Sequence, residues 1–124
     1  MNESPGRVTI AHNVLLTIAR LTTASVPGVE RLVPCGVQGF LRRGGDEGVL
    51  LRVEGDRVHF DLFIVADANA NLRQVGKEIQ DQVARAIRDM VGMAPEAINV
   101  HIQDVAYPEL AYDVERTPVA DQAT

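Results

Sequence analysis

Residues 49–64, VLLRVEGDRVHFDLFI, carry the pattern that decides the fold. Apolar residues alternate with other residues over 49–53 and again over 58–64, and the two runs flank a turn that contains Gly55 and Asp56. Two alternating runs around a Gly-Asp turn are typical of a β-hairpin that buries one face. The sequence therefore predicts two antiparallel strands, with the core side of the second formed by Val58, Phe60, Leu62 and Ile64.

A helix is the clearest feature after the hairpin. Asn71 is a suitable N-cap, and Gly92 supplies the stop. Between them, apolar residues recur at spacings of three and four, at Leu72, Val75, Ile79, Val83, Ile87 and Met90. Gly76 lies near this stripe, which indicates close packing against the sheet. Alternation returns over residues 98–102 and predicts a last strand.

The chain before the hairpin contains a second helix between two short strands. Residues 8–10 form a β-branched run suited to a strand. Helical spacing over 11–26 gives an apolar face of Val14, Ile18 and Leu21, with Leu15, Ala19 and Thr22 beside it. Pro27 and Gly28 end this helix, and residues 29–33 form the next strand.

These elements, in the order β-α-β-β-β-α-β, predict an α+β fold. Two one-sided helices and half-buried strands imply a two-layer sandwich, with both helices on one face of a small mixed sheet. A ferredoxin-like arrangement is the nearest named topology. The glycine-rich segment 34–48 is predicted as a loop with one weak strand over 37–41, and the strand order around it stays open. The domain spans 1–105, and an acidic, flexible tail follows over 106–124.

Charge is unevenly distributed along the chain. Of the formal charge of −5, residues 104–124 contribute five acidic residues and one basic residue, whereas residues 1–103 are nearly balanced. This composition disfavours a uniformly basic nucleic-acid binder. The N-terminus lacks a secretory pattern, and no apolar run approaches the roughly 18 residues of a membrane span, so we expect a cytoplasmic protein. The single cysteine, Cys35, excludes an internal disulfide.

Three blocks of sequence resemble the alkaline-shock-protein (Gls-type) envelope stress response family. The first covers residues 6–11 and 26–29, the second covers 58–65, and the third covers 79–93 with 98–102. The resemblance implies a cytosolic, non-enzymatic protein of bacteria, without a cofactor or catalytic residues. It also implies self-association, and binding to a small membrane-anchored protein that holds some members near the membrane without direct insertion.

No residue pattern in the chain predicts catalysis. His59 and Asp61 are predicted to lie on the same face of their strand, and His101 on the exposed face of its own strand. Two imidazoles and a carboxylate can bind zinc or move protons. In a ferredoxin-like order, however, another strand would separate the two histidines by about 9–10 Å, which favours a solvated polar face over a metal site. Cys35 is interpreted as an incidental thiol. The glycines of the GxxG pattern at 36–39 are interpreted as loop turns.

The remaining candidates are surfaces for protein–protein contact. Leu50 and Phe63 have outward parity on the sheet, and Phe63 is the best single anchor unless the tail folds over it. The solvent-facing side of the second helix could bind an acidic partner or anionic lipid through four bases: Arg73, Lys77, Arg85 and Arg88. We therefore expect a stress response scaffold or adaptor, located in the cytoplasm and held near the membrane by a partner. One alternative is a nucleic-acid or small-ligand binding module, which would use Arg42 and Arg43. Another is an enzyme that uses His59, Asp61 or His101.

Overall fold

The computed structural model describes residues 5–34 and 48–107. It confirms the predicted α+β class, with two helices packed on one face of a four-stranded sheet. The elements in chain order are α1 (His12–Ala24), β1 (Val29–Leu32), β2 (Val49–Glu54), β3 (Arg57–Asp67), α2 (Leu72–Ala86, continued by a π-helical turn over Ile87–Val91) and β4 (Ala94–Ala106). The predicted weak strand over 37–41 and the predicted tail after Tyr107 lie outside the described residues.

The central strand of the sheet is β3. Its partner β4 runs parallel along one edge, and the predicted hairpin partner β2 runs antiparallel along the other. β1 is also antiparallel to β3 and occupies the same edge as β2. Phe63 marks the junction, because its carbonyl accepts from the Val33 amide and its amide donates to the Gly48 carbonyl, both at 2.9 Å. β1 and β2 are thus two stretches of one sheet edge.

The core lies between the inner face of the sheet and the two helices. The inward side chains of β3 are fully buried, as the alternation predicts: Val58, Phe60, Leu62 and Ile64. Leu15 and Ala19 of α1 and a four-residue stripe of α2 cover them: Val75, Ile79, Val83 and Ile87. Large-to-small changes at such sites cost about 2–5 kcal/mol, so this interface carries much of the stability.

The prediction of a strand over residues 8–10 is wrong. These residues are not in a strand, and the side chains of Val8 and Ile10 are 92% and 39% exposed. Both edges of β3 are already paired, one by β4 and the other by β1 and β2. β-Branched residues favour a strand only where a partner strand is available, and here the central one is not.

α1 faces the core along a different stripe from the one that leads the prediction. Its buried residues are Leu15, Ala19 and Thr23, whereas Val14 and Leu21 are 43% and 59% exposed. The helix has two neighbouring apolar stripes, and its spacing alone does not decide between them. Val26, in the turn into β1, is also buried and belongs to the same core cluster as Leu15 and Ala19.

Close packing of α2 occurs at Gly28 and not at Gly76. A Cβ at Gly76 would meet nothing within 4 Å, so the packing explanation for that residue is wrong. Gly28 has a φ of +100°, and a Cβ there would lie 2.6 Å from Cγ2 of Val75. The predicted ends of α2 are confirmed: the Asn71 side chain accepts from the Gln74 amide, and Gly92 is left-handed.

Candidate interaction surface

The side of the sheet opposite the helices presents a row of mixed side chains that we call the open sheet face. No described helix packs against it. Its members come from alternate positions on three strands, because successive strand residues point to opposite faces. They are Leu50 and Arg52 on β2, His59, Asp61 and Phe63 on β3, and Asn99 and His101 on β4.

Phe63 and His101 form the centre of this face. They are register partners on the parallel pair β3 and β4, and their rings stack with centroids 4.6 Å apart and an interplanar angle of 11°. Both side chains are half-buried. A stacked aromatic pair contributes about 0.5–1.5 kcal/mol beyond its buried area. The stack therefore gives the open face a rigid, flat apolar centre.

Asp61 holds this centre in place. Its Oδ1 atom lies 2.9 Å from Nε2 of His101 and accepts a hydrogen bond at 3.2 Å from Nδ2 of Asn99. A carboxylate accepts hydrogen bonds and does not donate them, so Nε2 of His101 carries the proton in this contact. Asp61 thus fixes the imidazole plane against which Phe63 stacks.

A charged cluster lies at the hairpin end of the same face. Glu54 is within 3.5–3.8 Å of basic nitrogens on Arg52, Arg57 and His59. Arg57 also reaches Glu96 on β4, at 3.2 Å. His59 is mostly buried, and its Nε2 atom has no hydrogen-bond partner among the described residues. The arginines and glutamates are about half exposed, so their pairing is screened by water.

The predicted separation of the two histidines by an intervening strand is wrong. β3 and β4 pair directly, yet His59 lies opposite Ala97 and His101 lies opposite Phe63. Four residues along a strand are about 13 Å, whereas zinc binds nitrogen at about 2 Å. The two imidazoles therefore cannot share one ion, and the described residues contain no group of three metal-ligating side chains.

The six predicted interface residues divide between two opposite sides of the molecule. Leu50 and Phe63 lie on the open sheet face. Arg73, Lys77, Arg85 and Arg88 are exposed on α2, on the side that faces away from the sheet. A single flat partner surface therefore cannot contact the open sheet face and the four bases of α2 at the same time. Cys35, the GxxG glycines, Arg42 and Arg43 lie outside the described residues.

The sequence prediction missed two surface features. One is the exposed stripe of α1 that contains Val14 and Leu21. The other is a shallow groove of about 280 Å³ between the turn after α1 and the start of α2. The groove is lined by Pro27, Ala70, Asn71, Gln74, Val75 and Glu78. Val75 and Ala70, which approach Gly28 closely, are two of these lining residues. In the sequence, only the pair Pro27 and Gly28 marked this region.

Residues 1–107 match the sequence profile of the alkaline shock protein 23 family, described as having a cell envelope-related function. The chain belongs to this family. The membership confirms the resemblance to the alkaline-shock-protein type. No helix within residues 5–34 and 48–107 combines the length and the apolar character that a membrane span needs.

Relatives of this alkaline-shock-protein chain are described as uncharacterized proteins. YloU of Bacillus subtilis is 23% identical over 81% of this chain and 88% of its own length. YqhY of the same organism is 24% identical over 89% of this chain and 84% of its own length. Spy1535 of Streptococcus pyogenes is 27% identical, over 96% and 88%. The similarity therefore extends along nearly the whole domain.

Solved structures with the same fold include variants of MamM-CTD. The H285A variant superimposes with a TM-score of 0.55 at 16% identity, and covers 76% of this chain and 98% of its own. A copper form of the D249H variant gives 0.55 at 15% identity, over 76% and 98%. At such low identity the likeness establishes the fold and carries no function.

Proposed function

We propose that this alkaline-shock-protein family member is a non-catalytic scaffold or adaptor of the envelope stress response, which acts through its open sheet face. The observation that carries the proposal is the Phe63–His101 stack, a flat and half-buried aromatic centre on a face that no described helix covers. Interfaces are organised around buried aromatic anchors with polar residues at their rim. Asp61, Asn99 and Arg52 supply such a rim here.

The edge of β4 supports the same proposal. β4 has 13 residues and pairs with β3 on one side, and no described strand pairs with its other side. An unpaired strand edge is a template for another strand, and natural proteins either block it or use it. His101 lies on this edge strand and joins the aromatic centre to it. One partner strand along β4 would therefore contact the open sheet face as well.

Two partners fit this surface, a second copy of the chain and a small membrane-anchored protein. The family description as cell envelope-related supports a site of action near the membrane. We propose a cytoplasmic protein that reaches the membrane by binding such a partner. The test is a pull-down from native cells, with membrane and soluble fractions analysed separately. A membrane pool that carbonate or high salt releases supports tethering, and a pool that only detergent releases contradicts it.

Self-association is tested by light scattering over a concentration series of the full chain. We expect the mass to rise with concentration, and Phe63→Glu to shift association to at least tenfold higher concentration, because a charge then occupies the apolar centre. Leu21→Glu on α1 is the control, since it also replaces a large apolar side chain with glutamate, at an exposed position away from the sheet. A chain that stays monomeric throughout, with a folded Phe63→Glu variant that behaves identically, contradicts self-association.

A nucleic-acid or small-ligand binding module is the second candidate function. The stacked rings favour it, because an open sheet face with aromatic side chains can stack on bases. The Asp61 carboxylate beside the stack opposes it, since it repels phosphate. Salt-dependent binding of single-stranded RNA that is lost in Phe63→Ala, or in Arg42→Ala with Arg43→Ala, would favour this function over the scaffold.

A further inference from the structure

The exposed side of α2 is a basic face made of Arg73, Lys77, Arg85 and Arg88. At about 100° per residue, the four bases fall within roughly a third of the helix circumference, opposite the buried stripe. Asp81 is the single acid among them, and Glu78 and Asp89 lie on one flank. No ion pair between described residues involves any of the four bases. Within the described part of the chain, the basic face is thus a positive surface whose four bases form no ion pair, with Asp81 as the one acid inside it.

The first turn of α2 strengthens this positive surface. It contains Arg73 and no acidic residue. The N-terminal end of a helix carries a partial positive charge, which acidic groups stabilise and bases do not. The helix end that begins with Asn71 and Leu72 therefore adds its partial positive charge to the charge of Arg73.

The C-terminal segment, residues 108–124, follows β4, and β4 ends beside the start of α2. β4 is parallel to β3, and α2 follows β3, so the end of β4 lies beside the start of α2. The Ala68 amide donates a 2.8 Å hydrogen bond to the Ala106 carbonyl, four residues before α2 begins. Residues 108–124 contain four acidic residues and one basic residue.

The length of this segment is sufficient to follow the whole helix. Residues 108–124 number 17, and at about 3.3 Å per residue they span up to about 56 Å. α2 with its π-helical turn covers residues 72–91, which at 1.5 Å per residue is about 30 Å. Three of its four acids, Glu109, Asp113 and Glu115, lie in the first half of the segment.

We propose that the basic face of α2 binds the chain's own acidic C-terminal segment, residues 108–124. The charge complementarity, the exit point near the start of α2 and the length of the segment carry this inference. This contact is independent of the proposed scaffold function, because the open sheet face lies on the other side of the molecule and its test does not involve α2.

The test is zero-length crosslinking of the full chain, for which the sequence is well suited. Lys77 is the single lysine and lies on the basic face. A carbodiimide activates a carboxylate, the Lys77 amine attacks it, and an amide forms as a urea leaves. We expect mass spectrometry to find Lys77 joined to Glu109, Asp113 or Glu115. These crosslinks should fall several-fold when salt is raised from about 0.05 M to about 1 M, because the Debye length falls to about 3 Å.

A matched variant moves the amine and keeps the charge. Lys77→Arg combined with Arg52→Lys places the only lysine on the open sheet face, and there we expect crosslinks to the tail to disappear. Mixing isotope-labelled with unlabelled chain separates contacts within one molecule from contacts between two. The proposal is overturned if Lys77 joins only the neighbouring Asp81, if position 52 captures the tail equally well, or if the tail crosslinks are mainly between molecules.

Discussion

The two faces of β3 have the same alternation and the same strand geometry, yet different forces shape them. On the inner face, Phe60 and its neighbours are fully buried beneath two helices. On the open face, Phe63 is half-buried and stacks on a single imidazole. Two phenylalanines three residues apart on one strand therefore have different roles. Packing determines the identity of the first, and solvent or a partner determines that of the second.

The largest expected effect compares these two phenylalanines directly. Phe60→Ala should lower the free energy of unfolding by about 3–5 kcal/mol, because it leaves a cavity in the core. Phe63→Ala should cost about 1 kcal/mol, since the loss is one stacked pair and partial burial. Urea unfolding measures both changes. Equal losses at the two positions would mean that the open face is packed as tightly as the core.

α1 offers the same comparison on a helix. Leu15 is buried, whereas Leu21 is 59% exposed. We expect Leu15→Ala to destabilise by about 2–4 kcal/mol, and Leu21→Ala to stay within about 0.5 kcal/mol. Thermal unfolding of the two variants beside the unmodified chain measures the difference. A large loss at Leu21 would mean that the outer stripe of α1 is covered in the folded protein.

The hairpin, α2 and the last strand could be predicted from sequence because their signals are local. The alternation over 49–64 and the helical spacing between Leu72 and Ile87 each indicate which side of the element is buried. Both patterns are visible within a short stretch of sequence. The strand over 8–10 failed for the opposite reason. Its β-branched residues state a local preference, but a strand also needs a partner strand beside it in the fold, and that depends on residues far along the chain.

The centre of the open face was predicted in part. The parity of Phe63 and His101 placed both residues on the outer side, but the sequence did not pair their strands. The missing signal was the crossover, since a strand, a helix and a second strand usually form a right-handed unit of neighbouring parallel strands. That rule applied to β3, α2 and β4 would have brought Asp61, Phe63 and His101 together. The geometry of the stack itself depends on side-chain packing that a pattern does not encode.

A smaller effect is expected where Asp61 organises the open face. Asp61→Ala removes the acceptor for both His101 and Asn99 and should cost about 1 kcal/mol, because the contacts are partly exposed to water. Asp61→Asn keeps one acceptor and should lose less. The chemical shifts of the Phe63 ring protons report whether the imidazole still stacks. Unchanged shifts in Asp61→Ala would show that the stack does not need the carboxylate.

The smallest effect is expected at the charged cluster at the hairpin end of the open sheet face, which is the part of that face least like the buried inner face of β3. Glu54 is close to Arg52, Arg57 and His59, but the glutamate and both arginines are about half exposed. Exposed ion pairs contribute about 0–1 kcal/mol, so Glu54→Gln should lower the free energy of unfolding by about 0.5 kcal/mol. In high salt, Glu54→Gln and the unmodified chain should have the same free energy of unfolding, because the added ions screen these exposed pairs. A loss above about 2 kcal/mol that persists in high salt would mean that the cluster is buried by a partner, and that the open face is an interface at both ends.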